Sequence, residues 1–385
     1  MSISCTATRV FTTNSINVNS GSWGIVSQND GSYIFGWTQG SDDFPYDSLG
    51  SWLRSTDEGQ TWSFNGNSDG LIGQVSAYHS NIHPNITVAP YFNPPTNGAG
   101  IIRTINQGIS WTRVLDLSIA PSPHGRDVWI AGIQSYSKTH ALAWGTLNGD
   151  NQNPPQTWGT SADAGATWTT HSAWDYATPF DTMNAMGIAE QGCWIASYTK
   201  GFTDPRFAWM ANTTDFGATW NVGASMGGNN TPPMETGLAI CCFDKLNAAM
   251  AGNHSNSPPD DNVSAWWTDD AAMTMHLVSN SDVINWPGGS GNMLCTEVKR
   301  LTQDACFLAF ENQNDGTPGS CWRISLDKGH TYEIEVTQPS HVQTYQIPCG
   351  KAVVTKDGAL LMALWQSNDY STAEISLWRA PIICA

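Results

Sequence analysis

The 385-residue chain is poor in charge and poorer still in positive charge. Charged residues make up 13%, with 16 Lys and Arg against 33 Asp and Glu, for a formal net charge of −17. Affinity for nucleic acid rests mainly on Lys and Arg that neutralise phosphates, so nucleic acid is disfavoured as a partner. No apolar run reaches the ~20 residues of a membrane helix, and the opening MSISCTATRVF lacks the charged start and apolar stretch of a secretory signal. The expectation is a chain made in the cytoplasm, without membrane insertion, that then works there, outside the cell or on a virion. The nine cysteines are odd in number and contain no C-x-x-C pair, so neither a zinc site nor a full disulfide framework is signalled. Most read as small buried residues. Asp42–Asp43 and Asp260–Asp261 could hold Ca²⁺ through oxygen ligands, but no ordered D-x-D-x-D loop accompanies them. No metal or other cofactor is expected.

What the chain has instead is 36 Gly, 19 Trp and abundant Ser, Thr and Asn, the composition of many short strands joined by polar turns. Within it one octet recurs: STDEGQTW from Ser55, TINQGISW from Thr104, SADAGATW from Ser161, TTDFGATW from Thr213, TDDAAMTM from Thr268 and SLDKGHTY from Ser325. The successive spacings are 49, 57, 52, 55 and 57 residues. A fixed period means stacked copies of one unit, so residues 1–385 are expected to form a single domain.

Inside the octet the Gly suits a turn position with positive φ, and the Asp two places earlier can accept backbone N–H bonds across that turn. The hydroxyls at the first and seventh places add bonds of the same kind, and the closing aromatic packs beneath. Asp57, Asn106, Asp163, Asp215, Asp270 and Asp327 are therefore expected to be structural. Before each octet stands an extended segment, Trp-bearing in most copies (GSWLRS, QTWGTS, FAWMAN), and before that two short apolar runs. Each period thus predicts four strands, with the octet between the third and fourth.

The pattern S-x-D-x-G-x-T-W resembles the Asp-box, or BNR repeat, of the sialidase superfamily of β-propellers. The resemblance covers nearly the whole chain through turns at 55–62, 104–111, 161–168, 213–220, 268–275 and 325–332. It departs from the family at Asn106, at Tyr332, and at Ala272 with Met275. It implies an all-β, seven-bladed β-propeller of four-stranded antiparallel blades. TAEISLWRAP (372–381) repeats the third-strand pattern with no octet after it, so residues 1–12 are expected to supply the last blade's missing strand and close the ring. Cys5 and Cys384 would then lie on paired strands, where a disulfide is conceivable.

In such blades the octets occupy one face and the long, irregular connections the other. Binding usually resides in loops on a rigid scaffold, and these loops carry Trp174, Tyr176, Trp286, Tyr46 and His124, whose rings can stack on sugars, together with Arg126 and Arg206. Aromatics at second-strand ends (Trp37, Trp144, Tyr198, Trp365) and on third strands (Trp158, Trp322, Trp378) admit two readings, packing between blades or lining repeated ligand clefts like those of propeller lectins. A sialidase-like clasp of three arginines is not met, because only Arg126 and Arg206 fall in loop-face segments.

The function expected is a non-catalytic glycan-binding or adhesion module, displayed on a virion or phage surface, with glycans as partners. One alternative is a glycoside hydrolase acting on neutral polysaccharide through two loop-face carboxylates drawn from Asp42, Asp43, Asp47, Asp127, Asp175, Asp181, Asp204, Glu235, Asp260, Asp261 and Glu311. Another is a purely structural subunit of a larger assembly.

Overall fold

In a computed structural model of the chain, the structure describes residues 4–12, 23–27, 32–39, 49–67, 85–93, 98–117, 129–146, 158–171, 182–190, 192–199, 208–225, 234–255, 261–278, 293–312, 319–337, 345–347, 352–367 and 373–381. These residues contain strands and turns without helix and fall into seven sheets. The third sheet shows the plan: Trp129–Ser135, Ala141–Thr146, Trp158–Ser161 and Thr169–His171 lie side by side in chain order, each antiparallel to the last. The first, fourth and fifth sheets repeat it with four strands, and three strands of the second are described. The octets lie between the third and fourth strands, as the period predicts.

The last two sheets share the beginning of the chain. Thr8–Thr12 pairs antiparallel with Ala373–Pro381 of the seventh sheet. Ser4–Thr6, however, runs parallel to Ile334–Thr337 of the sixth, with Cys5 opposite Val336. Residues 1–12 are therefore not one strand of one sheet: the segment crosses from sixth to seventh at Ala7, 1% exposed and packed with Trp322, Ile334 and Trp378. A small side chain is what lets the backbone cross so closely between two sheets. Cys5 consequently lies off the strand that pairs with the C-terminal one, and Cys384 lies outside the described residues.

The apolar core is divided among seams between neighbouring sheets. One cluster joins the fifth and sixth through Cys241, Ala249, Cys306 and Tyr332, and another joins the third and fourth through Leu142, Trp158, Met186 and Trp194. Trp144, Trp158, Tyr198, Trp322 and Trp378 are 1–4% exposed. Their rings fill the seams, so the reading of repeated ligand clefts does not hold for them.

The octets serve these seams as well as their own turns. In each, the first hydroxyl accepts the fifth residue's N–H at 2.8–3.0 Å and donates to the third residue's side-chain oxygen at 2.7–2.9 Å. That same oxygen accepts the seventh residue's N–H at 2.8–2.9 Å. Asn106 works in the second copy because its Nδ2 donates to Ser110 Oγ at 2.8 Å, reversing the polarity found with Asp.

Two consecutive residues in every octet are left-handed. The fifth is expected from its Gly, but the fourth is not: Glu58, Gln107, Ala164, Phe216, Ala271 and Lys328 all have φ of 57–60°. A side chain there costs about 1–2 kcal/mol. The return is a bond from the fourth residue's N–H to the turn between the first two strands of the same sheet, as from Ala164 to Thr139 O and from Lys328 to Asp304 O, both 2.7 Å. The octet glycine then meets the preceding sheet. A Cβ on Gly165 would lie 2.4 Å from Val88, one on Gly329 2.4 Å from Ala249, and one on Gly59 2.8 Å from Leu361 of the seventh sheet.

Candidate active site

The strand directions separate the described carboxylates into two groups. At the octet end, Asp57, Asp163, Asp215, Asp270 and Asp327 are consumed by their own turns. For Asp215 the Thr219 hydroxyl and N–H, with the Thr213 hydroxyl, hold the carboxyl below its ordinary value. For Asp163 burial pushes the carboxyl up, and the bonds from Thr167 and Ser161 outweigh it, again leaving it low. A carboxylate held ionised by three donors is a poor proton donor at neutral pH, so the octet aspartates have no role in acid–base chemistry.

At the opposite end three of the candidate carboxylates sit on strand termini, as do Asp116, next to last in Thr112–Leu117, and Glu374, second in Ala373–Pro381. Glu235 is the second residue of Met234–Cys242, and Asp261 opens Asp261–Thr268 two strands away in the same fifth sheet. The second strand between them, Ala248–Ser255, brings its last residues to this end, since Met234 pairs with His254 and Asp261 with Ser255. Glu311, next to last in Cys306–Asn312 of the sixth sheet, pairs with Leu294 and Ser320 and belongs to the same end. At about 3.3 Å per residue, Glu235 lies roughly 20 Å along its strand from the octet-side terminus at Cys242. The remaining candidate carboxylates, Asp42, Asp43, Asp47, Asp127, Asp175, Asp181, Asp204 and Asp260, lie outside the described residues, as do Trp174, Tyr176, Trp286, Tyr46, His124, Arg126 and Arg206. Among the described residues no group of three or more His, Cys, Asp or Glu could hold a metal ion.

Among the carboxylates that sequence reasoning did not single out, one joins two sheets. Glu297, on Met293–Arg300, is 8% exposed, and its Oε2 accepts the N–H of Ala352 in the seventh sheet at 2.7 Å. Its signal was a lone acid in MLCTEVKR. The bond makes it a tie between two sheets.

With this geometry in place, comparison with solved structures decides the architecture. The polysaccharide lyase Uly1 superposes at TM-score 0.54 and 9% identity, covering 90% of this chain and 88% of that one. The β-propeller domain of the Trilobed protease from Pyrococcus furiosus superposes at 0.52 and 8% identity, covering 93% of each. The fold is a β-propeller. A GH74 xyloglucanase from Xanthomonas campestris matches at TM-score 0.43 and 11% identity; the chain covers 66% of that protein's length and is itself covered over 92%. No family model matches the chain, and no curated protein is similar to it in sequence. The expectation of a non-catalytic glycan-binding or adhesion module is corrected at this point: the glycan-related protein on which this propeller superposes above TM-score 0.5 is named as a polysaccharide lyase, an enzyme.

Proposed function

We propose that this chain is a glycoside hydrolase of neutral polysaccharide, built on a seven-bladed Asp-box propeller of the sialidase superfamily that the strand Thr8–Thr12 closes. The observation that carries the reading is the placement of Glu235, Asp261 and Glu311 on strand termini of two consecutive sheets, at the end away from the octets. Rigid strands hold catalytic carboxylates more precisely than free loops do, and glycoside hydrolysis needs two of them. One, protonated, delivers its proton to the leaving glycosidic oxygen. The other, ionised, attacks the anomeric carbon directly at a carboxyl separation of about 5–5.5 Å, or activates a water at about 6.5–9.5 Å. Trp174, Tyr176, Trp286 and Tyr46 supply faces for sugar rings, while His124, Arg126 and Arg206 supply hydrogen-bond donors to hydroxyls. A net charge of −17 favours a neutral polymer over a polyanionic one.

The test is release of reducing ends from a panel of neutral polysaccharides, with xyloglucan and arabinan included, by the parent chain and by Glu235→Gln, Asp261→Asn and Glu311→Gln. Two of the three substitutions are expected to lower kcat by about 10²–10⁴-fold, the size of a lost general acid or base, with substrate binding retained. Absence of release from every polymer, or activity untouched by all three substitutions, overturns the reading.

A further inference from the structure

The pairing of first with second strands is regular in one part of the molecule and broken in another. In the first sheet Trp23–Ser27 pairs with Tyr33–Gln39 residue for residue, from Trp23 opposite Trp37 to Ser27 opposite Tyr33. In the third, fourth and sixth sheets the first strand carries an extra residue. Ile130 and Gly132 pair with the consecutive Gly145 and Trp144, which leaves Ala131 inserted. Met183 and Ala185 pair with Tyr198 and Ser197, inserting Asn184, and Cys295 and Glu297 pair with Phe310 and Ala309, inserting Thr296. All three steps fall at one height: Trp144, Ser197 and Ala309 stand equally far along their strands from Ala141, Trp194 and Cys306, the partners of each octet's first residue.

The fifth sheet breaks register at that height too, where Ala239 and Thr236 pair with Ala251 and Asn253. It then breaks register again. Met234 pairs with His254, so Glu235 is the residue inserted between two consecutive pairs. Of these four first strands, Met234–Cys242 alone shifts twice in the half away from its octet. An inserted residue stands outside the ladder and bends its strand, a device that recurs beside active sites because it re-aims a single residue. The irregularity is thus greatest at one of the three carboxylates that the catalytic reading requires.

The four strands also adjoin in order, Trp129–Ser135 against Thr182–Glu190, that strand against Met234–Cys242, and that one against Met293–Arg300. Asn184 and Thr296 therefore stand on the two strands that flank the strand of Glu235. An amide and a hydroxyl both donate and accept hydrogen bonds without charge, as the hydroxyls of a sugar ring do. No inserted residue is Lys or Arg, so the set offers nothing to a charged sugar. We propose that Asn184, Glu235 and Thr296 form one subsite for a neutral sugar, with Glu235 as one of the two reacting carboxylates and Asn184 and Thr296 bonding hydroxyls of the ring whose glycosidic bond is cut. This assignment rests on the glycoside hydrolase reading and names two further residues for it.

The experiment measures kcat and KM, on the polymer of the neutral panel that the parent cleaves, for Glu235→Gln, Asn184→Ala, Thr296→Val and Thr296→Ser. Asn184→Ala and Thr296→Val are each expected to lower kcat/KM about 3–10-fold, the size of one hydrogen bond to the substrate, at an unchanged unfolding midpoint. Thr296→Ser, which keeps the hydroxyl, should recover most of that loss. In a Glu235→Gln background, calorimetric affinity for the intact polymer should fall when Asn184→Ala is added, a readout that turnover does not enter. A parent that cleaves no polymer overturns the catalytic reading and the subsite with it. A parent that cleaves, yet keeps its kcat/KM in both Asn184→Ala and Thr296→Val or in Glu235→Gln, overturns the subsite alone.

Discussion

Gly165 combines two constraints at one atom: φ of +76°, and a would-be Cβ 2.4 Å from Val88 Cγ1. The Gly165→Ala variant is expected to lose about 2–4 kcal/mol, from left-handed strain and overpacking together, read as a lower urea midpoint at unchanged slope. Ala272 carries at φ 65° the methyl that Gly165 cannot. Its methyl joins the cluster of Met210 and Trp266, while its carbonyl accepts the N–H of Ala224 at 3.0 Å beside Gly223, whose own Cβ would lie 2.2 Å from that oxygen. Ala272→Gly is therefore expected to stay within about 1 kcal/mol of the parent, relief of strain offsetting the lost methyl. Denaturation of the two variants side by side separates these cases.

At the scale of the element, five of the six octets are turns whose carboxylate is held ionised by its own donors. The depressed value of Asp163 in the folded chain means that its contribution is present above the ordinary aspartate value of about 3.9 and fades as pH falls through the folded value. With Asp57, Asp215, Asp270 and Asp327 shifted the same way, stability is expected to fall steeply below about pH 4. Asp163→Ala should flatten that fall, since the variant has one fewer group to protonate, and should cost more at neutral pH than Asp163→Asn. Asn106 shows how an amide retains most of the bonds; melting curves at several pH values test both statements. The octet is legible in the sequence because its side-chain bonds close within seven residues. The left-handed fourth residue is not, since Glu58, Ala164 and Phe216 share no side-chain character and the compensating carbonyl comes from a turn more than twenty residues upstream. The repeat already assigns Glu235 and Asp261 to the loop face, but that they stand on strand termini needed the register, and the segments of Trp174 and Trp286 obey no period at all.

Across the whole molecule, four-stranded sheets, their order and the pairing of Thr8–Thr12 with the last strand follow from the repeat and its incomplete final copy. The parallel pairing of Ser4–Thr6 does not follow, because nothing in SCT distinguishes one open edge from the next. Removal of residues 1–12 would bare the backbone edges of both Ile334–Thr337 and Ala373–Pro381 and strip Ala7 from its cluster. The truncated chain is expected to melt lower and to aggregate through those edges, which thermal scans with light scattering would reveal; an unchanged melting point would refute it. The same crossing also sets a timetable. Residues 4–12 leave the ribosome more than 320 residues ahead of their partners at 334–337 and 373–381. At about 5–20 residues per second of synthesis, the leading segment waits on the order of tens of seconds, unpaired, for the strands it must join. SCTATRVFT is thus a stretch of β-forming chain that a nascent protein has to keep from other partners until those strands emerge.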